Sequence, residues 1–267
     1  MKRAPVAALL LAAAAAPPAR AQITVVGSAV EERAARPGET YSGTIRLRNE
    51  GREPEEARLY LSDYAFHADG RTVYAPAGSL PRSSARWVTF SPAQVSLPPG
   101  GEADVGYTVA VPADAGLAGT FWSVLMVEGI ARGSAESGAA APGRVRVGIR
   151  PQVRYAVQIA TTLEGTGAAR VSFSGTRAYA AGSGKVLELD VANSGDVAYR
   201  PELRVELFDA VGRAAGTFTS KRGLLYPGTS LRQAFDLGAL PAGTYQALVV
   251  ADAGADEVFG AQYRLQL

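Results

Sequence analysis

The residues that could do chemistry in this chain are few and widely spaced. His67 is the only histidine, and it stands beside Asp69-Gly70 with Asp63 four positions before it. A histidine near two carboxylates is the minimum for general acid-base work. The sequence, however, has no Gly-x-Ser-x-Gly elbow to supply a nucleophile and no second histidine to complete a metal site. Asp63 with Asp69, and Asp252 with Asp256, are the acidic pairs that could hold a calcium ion. Calcium loops need more oxygen ligands at tighter alternation, so these carboxylates read as solvated turn residues. No glycine-rich segment follows a strand and opens a helix, which leaves no nucleotide cradle, and the absence of cysteine removes thiol chemistry and disulfides. The chain therefore reads as a non-enzymatic binding protein with no cofactor and no metal.

A different kind of chemistry is written in residues 144–150, RVRVGIR. Val145, Val147 and Ile149 alternate with Arg144, Arg146 and Arg150, the pattern of a strand with one apolar and one cationic face. Before it, residues 130–143 are small and polar without periodicity, the composition of a loop. Pro151, which has no amide hydrogen to donate, closes the segment and reads as a stiff junction. An edge strand can bind another chain through its unpaired backbone, with alternate side chains giving selectivity. Arg144, Val145, Arg146, Val147, Ile149 and Arg150 are therefore the candidate partner-binding residues.

The elements that must position this strand are themselves strands. With 30 glycines and 16 prolines, the composition favours turns and short strands over helices. Residues 97–126, LPPGGEADVGYTVAVPADAGLAGTFWSVLM, run as turn, alternating strand, turn and aromatic strand. Residues 225–250, LYPGTSLRQAFDLGALPAGTYQALVV, repeat the order, with Pro227-Gly228 for Pro99-Gly100 and Gly243 for Gly119. Upstream of each copy an alternating strand ends in Asn-x-Gly, at Asn49 and at Asn193. The first copy is longer, and the connection at residues 67–86 carries the excess. Residues 121–127, FWSVLMV, are apolar almost throughout, as in a central strand covered on both faces. Phe121 and Trp122 read as core.

Strands of this length, with no period of 3.6 residues, predict an all-β chain of two tandem immunoglobulin-like β-sandwich domains. The expected division is 1–21 signal peptide, 22–150 first sandwich and 151–267 second sandwich. Lys2 and Arg3, an apolar run at 6–16, Pro17-Pro18 and Ala19-Arg20-Ala21 form a secretory signal with cleavage after Ala21. The run is too short to span a bilayer, so no transmembrane segment is expected in the mature chain, which is expected to be periplasmic or otherwise secreted. Basic residues number 27 against 25 acidic and are scattered, which leaves no stripe to track a nucleic acid.

At 144–151 the chain resembles the periplasmic chaperones of pilus assembly, two-sandwich exported proteins whose last first-domain strand also ends at an Arg-Pro junction, here Arg150-Pro151. The resemblance implies a chaperone-like or assembly role in which this strand pairs with an envelope or pilus-type protein subunit. It also implies that a basic residue, Arg144 by position, anchors the subunit's terminal carboxylate. Where those chaperones carry bulky alternating residues before the basic one, this chain has SAESGAAAPG. Residues 23–132 also resemble the domain of surface proteins that interact with WxL-type cell-wall proteins and bind peptidoglycan. That second resemblance implies the alternative function, a cell-wall or glycan-binding module, for which Trp87, Tyr74 and Tyr64 are the candidate platform residues.

Overall fold

The structure is a computed structural model that describes residues 23–131, 153–220, 223–254 and 257–267. The expected all-β, two-sandwich architecture is present. In the first sandwich the chain runs β1 (Ile23–Val26), β2 (Val30–Ala35), β3 (Thr40–Asn49), β4 (Glu55–Phe66), β5 (Thr72–Pro76), β6 (Val88–Ser91), β7 (Gln94–Leu97), β8 (Glu102–Ala110), β9 (Thr120–Ile130) and β10 (Arg154–Leu163). The second contains β11 (Val171–Ala181), β12 (Gly184–Asn193), β13 (Glu202–Phe208), β14 (Ala214–Thr219), β15 (Ser230–Gly238), β16 (Thr244–Gly254) and β17 (Glu257–Gln266).

Alternation decides which face each strand buries. In β3, Tyr41, Ile45, Leu47 and Asn49 are buried while Glu/Arg-type neighbours such as Arg46 and Arg48 stay in water. In β8 the inward set is Val105, Tyr107 and Val109. These side chains meet Leu59, Phe121, Leu125, Val127, Val157 and Ile159 from the facing sheet in one core. The first sheet has strand order β1-β3-β8-β6, and the second has order β2-β10-β9-β4-β5 with β7 also on β4. The second sandwich packs β11-β12-β15 on β14-β13-β16-β17 around Leu187, Leu189, Val205, Leu207, Phe235 and Val249.

Two crossings tie the sheets of the first sandwich together. β1 pairs antiparallel with β3, and the chain then crosses so that β2 runs parallel to β10. β6 pairs with β8, and beyond Ser91-Pro92, whose peptide is cis, β7 pairs with β4.

The internal repeat survives down to single hydrogen bonds. Asn49 is fully buried, and its side-chain amide donates to the carbonyls of Glu53, Leu97 and Pro98 while its Oδ1 accepts the Gly51 N–H. Asn193 does the same with the carbonyls of Val197 and Leu225 and the N–H of Gly195. In each copy the asparagine C=O accepts the N–H of the turn glycine, Gly100 or Gly228. Both glycines take positive φ, 69° and 75°, as the third position of a Pro-Gly type II turn requires. The Asn-x-Gly corner and the Pro-Gly turn are thus one latch, built once per sandwich.

One expected boundary is corrected. A second domain beginning at residue 151 would place the strand after Val153 in the second sandwich. That strand is β10, and it pairs antiparallel with β9 along its length and parallel with β2 over its second half. It is the last strand of the first sandwich, and the chain changes over in the turn and connection between Leu163 and Val171. An alternating strand fits either sandwich locally; its pairing partners decide the matter.

The sandwiches are joined by a small third core in which Trp122 and Ala160 of the first meet Tyr226 of the second, with Phe66, Ala198 and Leu224 around them. The Trp122 and Tyr226 rings stack at 4.5 Å with 8° between planes. Trp122 Nε1 donates to the Tyr64 carbonyl, and the Tyr226 hydroxyl donates to Gln158 Oε1. Burial pushes the Tyr226 phenol well above its usual range, so it stays a neutral donor. Trp122 is core, as the sequence suggests, though the core it fills is the one between the sandwiches.

Candidate partner-binding edge and groove

The six expected partner-binding residues, Arg144, Val145, Arg146, Val147, Ile149 and Arg150, lie outside the described residues, as does the Pro151 junction. What is described is the strand they lead into. β10 sends Val157, Ile159 and Leu163 into the first core and presents Arg154, Ala156, Gln158 and Ala160 on the outer face. Its two backbone edges are not treated alike. One edge is paired with β9 from Arg154 to Thr162. The other pairs with β2 only from Gln158 onward, where the Gln158 N–H meets the Ala29 carbonyl. In a strand, residues two apart turn their N–H and C=O to the same side. Ala156 and Arg154 therefore direct theirs to the side of β2 but ahead of its start, where no described strand stands.

The outer face beside this edge is apolar. In β9 the alternate residues Trp122, Val124, Met126 and Glu128 point outward and are all buried. Register sets Met126 between Ala156 of β10 and Tyr60 of β4, and Val124 between Gln158 and Ser62. This explains the unbroken apolar run of β9, since both of its faces are covered. Further across, Tyr64 pairs with Tyr74 of β5, ring centroids 5.3 Å apart, and Tyr64 also contacts Phe66 at 5.7 Å. One half of the face, around Trp122 and Phe66, is closed by Tyr226 of the second sandwich. The other half carries a groove of about 620 Å³ lined by Tyr60, Ser62, Tyr74, Pro76, Met126 and Arg154, among others, at whose base Met126 is buried.

Glu128 closes one end of that face. Its side chain is 3% exposed and lies between two arginines in register, Arg58 of β4 and Arg154 of β10. One carboxylate oxygen accepts from Arg58 and from the Tyr60 hydroxyl, the other from Arg154. Burial alone would raise the Glu128 carboxyl, but the hydrogen bonds from Arg58 and Tyr60 and the charges of Arg58 and Arg154 outweigh it and hold it below the usual carboxylate range. A carboxyl depressed in the folded state stabilises the fold above its unfolded value, about 4.3, and loses that contribution as pH falls through its folded value. Glu128→Gln is accordingly expected to cost about 2 kcal/mol at pH 7, where two charge-assisted contacts are weakened, and progressively less below pH 4. Urea denaturation of both forms across pH 3 to 7 checks the sign. The one acid in the strand FWSVLMVEG was the available signal, but neither arginine is near it in sequence.

The carboxylates considered as metal ligands have other work. Asp63 is 1% exposed and accepts the backbone N–H groups of Gly78, Ser79 and Leu80 and the hydroxyl of Ser83, drawing the loop at 78–83 over the end of β4. The expectation of a solvated turn residue is corrected here, because the excess chain at 67–86 folds back on it. Asp63→Ala would strand three amide donors, an expected loss of about 3 kcal/mol in a chemical melt. Asp63→Asn should recover only part, since an amide accepts fewer of these bonds. Asp69 caps its hairpin turn through Arg71, and the backbone of His67 closes the same turn. Asp252 accepts the Gly254 N–H in the β16–β17 turn, and Asp256 lies outside the described residues. Among the described residues no three histidine or acidic side chains gather as a metal site. Of the aromatic residues considered for a glycan platform, Trp87 packs against Phe121 at 4.8 Å, Tyr64 lies between Tyr74 and Phe66, and Tyr74 alone is exposed, at 53%.

No family model matches the chain, and no curated protein matches it. Solved structures do. The class 5 fimbriae chaperone CfaA is 12% identical with a TM-score of 0.47, covering 91% of this chain and 98% of its own. The CsuC–CsuE chaperone–tip adhesion subunit pre-assembly complex of Acinetobacter baumannii Csu pili matches at 13% identity and a TM-score of 0.43, over 79% of this chain and 89% of that one. The E. coli chaperone DraB matches at 14% and 0.41, over 92% and 98%. The chain is similar in fold to pilus-assembly chaperones. Function has to be read from its own edge and groove. No helix among the described residues is long and apolar enough to cross a membrane.

Proposed function

We propose that this is an exported, non-enzymatic, chaperone-like binding or assembly protein of the cell envelope that engages a strand of another envelope protein, of the pilus-subunit type, through the open edge of β10. The observation that supports this reading is the run of β10 ahead of Gln158, where β9 holds one side and, among the described residues, no strand stands on the other. An added strand finds N–H and C=O groups already aligned there, and each new hydrogen bond contributes about 1 kcal/mol once the strand is held. The basic segment at residues 144–150, whose alternation is that of a strand, precedes this run in sequence and would lengthen the pairing surface, with Arg144 and its neighbours in the role expected from the sequence. The secretory signal at residues 1–21 places the chain where such partners are found.

The test removes one hydrogen. Ala156→Pro deletes the N–H on the open side while leaving the β9 side, whose bonds come from the odd-numbered residues, in place. The variant should fold, by circular dichroism, and should lose at least about tenfold in recovery of crosslinked partner from the native envelope. Val211→Ser, at a remote hairpin tip 73% exposed, serves as the control and should retain it. Recovery of the unmodified chain as a clean monomer after crosslinking, or equal recovery with Ala156→Pro, would refute the proposal.

A further inference from the structure

The first sandwich has an unfilled corner. β1 pairs with β3 only from Arg46 to Asn49, after which the chain crosses to the other sheet and becomes β2. The Glu39 carbonyl accepts the Val111 N–H and the Asn49 N–H donates to the Gly101 carbonyl, so the odd-numbered residues of β3 turn their backbone groups toward β8 and the even-numbered ones toward the side that β1 has left. Ser42 and Thr44 consequently carry backbone N–H and C=O groups with no partner among the described residues. Between this free edge and β2 lies a cavity of about 490 Å³ whose walls include Glu31 and Arg33 of β2, Tyr41 and Gly43 of β3 and Tyr107 of β8. Tyr107 lies across Gly43 so closely that a Cβ there would run into its hydroxyl. Covering a strand glycine takes only an aromatic ring, which phenylalanine would supply. The hydroxyl is extra: the residue is 6% exposed, yet its oxygen bonds nothing among the described residues. Burial and the charge of Glu31 push the phenol up to about 12, so it stays a neutral hydroxyl able to accept as well as donate. Glu31 and Arg33 also form no hydrogen bond or ion pair among the described residues, and the Arg33 guanidinium rests over the Tyr41 ring at 5.1 Å.

We infer that this corner captures the free N-terminus of another polypeptide, its first residues extended along β3 and its α-ammonium held between the Glu31 carboxylate and the Tyr107 hydroxyl. The open stretch from Thr40 to Thr44 spans about 14 Å at the rise of an antiparallel strand, enough for about four residues. Beyond it β1 already occupies the line that an added strand would follow, so that strand has to end there. Charge decides which terminus it ends with. Glu31 acts on Tyr107, which lies over Gly43 near the β1 end, whereas Arg33 lies over Tyr41, further from it. A strand antiparallel to β3, as β1 is, brings an amine to Glu31, and a parallel one brings a carboxylate to it. Only the first is attractive. The site uses groups of β2, β3 and β8 and does not rest on the reading of the β10 edge.

The experiment uses the full mature chain and, as the probe, random hexapeptides tethered through their C-termini, one half with the α-amine free and the other half acetylated. The free-amine half should retain at least about ten times more of the chain. Retention should fall about tenfold in Glu31→Gln, which breaks no hydrogen bond or ion pair among the described residues, and about fivefold in Tyr107→Phe, which keeps the ring over Gly43. Peptides succinylated at the N-terminus carry a carboxylate in place of the amine, and they should bind Glu31→Lys but not the wild type, a reversal that a merely structural role would not produce. Circular dichroism should show each variant folded. Equal retention on the two halves, or retention indifferent to Glu31→Gln and Tyr107→Phe alike, would overturn the inference. Loss with Ala156→Pro but not with the Glu31 and Tyr107 variants would overturn it too, because it would put the peptides on the β10 edge. So would self-association of the chain that Tyr107→Phe abolishes, which would mean that a second copy fills the corner.

Discussion

Asn49→Ala is expected to destabilise the first sandwich by about 4 kcal/mol, and Asn193→Ala the second by about 3 kcal/mol. Neither asparagine is at a surface that binds anything. Asn49 is buried, and its amide bonds three carbonyls and one N–H, with the Leu97 carbonyl the most deeply buried of them. Alanine removes all four of these bonds at once, although the Pro98 carbonyl keeps the Gly101 N–H, and each lost bond costs about 1 kcal/mol. At Asn193 three bonds are lost, with the Leu225 carbonyl keeping the Tyr199 N–H, hence the smaller figure. Aspartate is no substitute at either position, because a carboxylate accepts the Gly51 or Gly195 N–H but cannot donate to the carbonyls. Denaturant melts of the two variants check this. A loss below about 1 kcal/mol for Asn49→Ala would mean that the corner is held by its backbone bonds alone.

Gly119→Ala is the second large effect, and it should separate the sandwiches instead of unfolding either. Gly119 takes φ +79°, and a Cβ built on it would stand 2.0 Å from the Asp196 carbonyl oxygen and 2.6 Å from its carbon. Both partners in that clash are backbone, so no rotamer relieves it. The left-handed conformation adds about 1 kcal/mol of strain for a residue with a Cβ. Relief requires the chain around Asp196 to withdraw. That movement breaks the bond from the Thr120 N–H to the Asp196 carbonyl, the Arg82–Asp196 ion pair and the bond from the Ala198 N–H to Thr120 Oγ1. The stacked Trp122 and Tyr226 should then part, exposing the indole. The expected result is a red-shifted tryptophan emission before the main transition, and two unfolding steps where the wild type has one. Gly129→Ala, in β9 with nothing within 4 Å of its Cβ position, should leave both unchanged.

How much of this was legible in the sequence follows from the range of each interaction. Alternation and the Pro-Gly and Asn-x-Gly turns depend on residues a few positions apart, and they mark the strands and the twofold repeat correctly. The strand at 202–208, for instance, is found where the alternation of ELRVELF puts it. Membership of a sheet is set by pairing across long separations. A proline precedes the strand after Val153 and makes it read as the opening of the second sandwich, yet its partner is β9. Asp63 and Asp69 flank a loop and so read alike as turn carboxylates, and only the return of the loop at 78–83 buries Asp63. Glu128 stands out as an acid in an apolar strand, but its meaning depends on a register that brings Arg58 and Arg154 to either side. The groove has no sequence signature, since Tyr60, Tyr74 and Met126 come from three strands that only the sheet order brings side by side.

Amide hydrogen exchange in the partner-free chain reads the proposed binding edge of β10 directly. Val157 and Ile159 turn their N–H groups toward β9, and Gln158 bonds to Ala29, so all three should be strongly protected. Ala156 lies among them in the same strand but faces the side on which no described strand stands. Its amide is predicted to exchange at least about a hundredfold faster than that of Val157 and to become protected when partner is bound. Protection of Ala156 equal to that of Val157 in the isolated chain would show that the edge is already occupied, and the proposed mode of binding would be wrong.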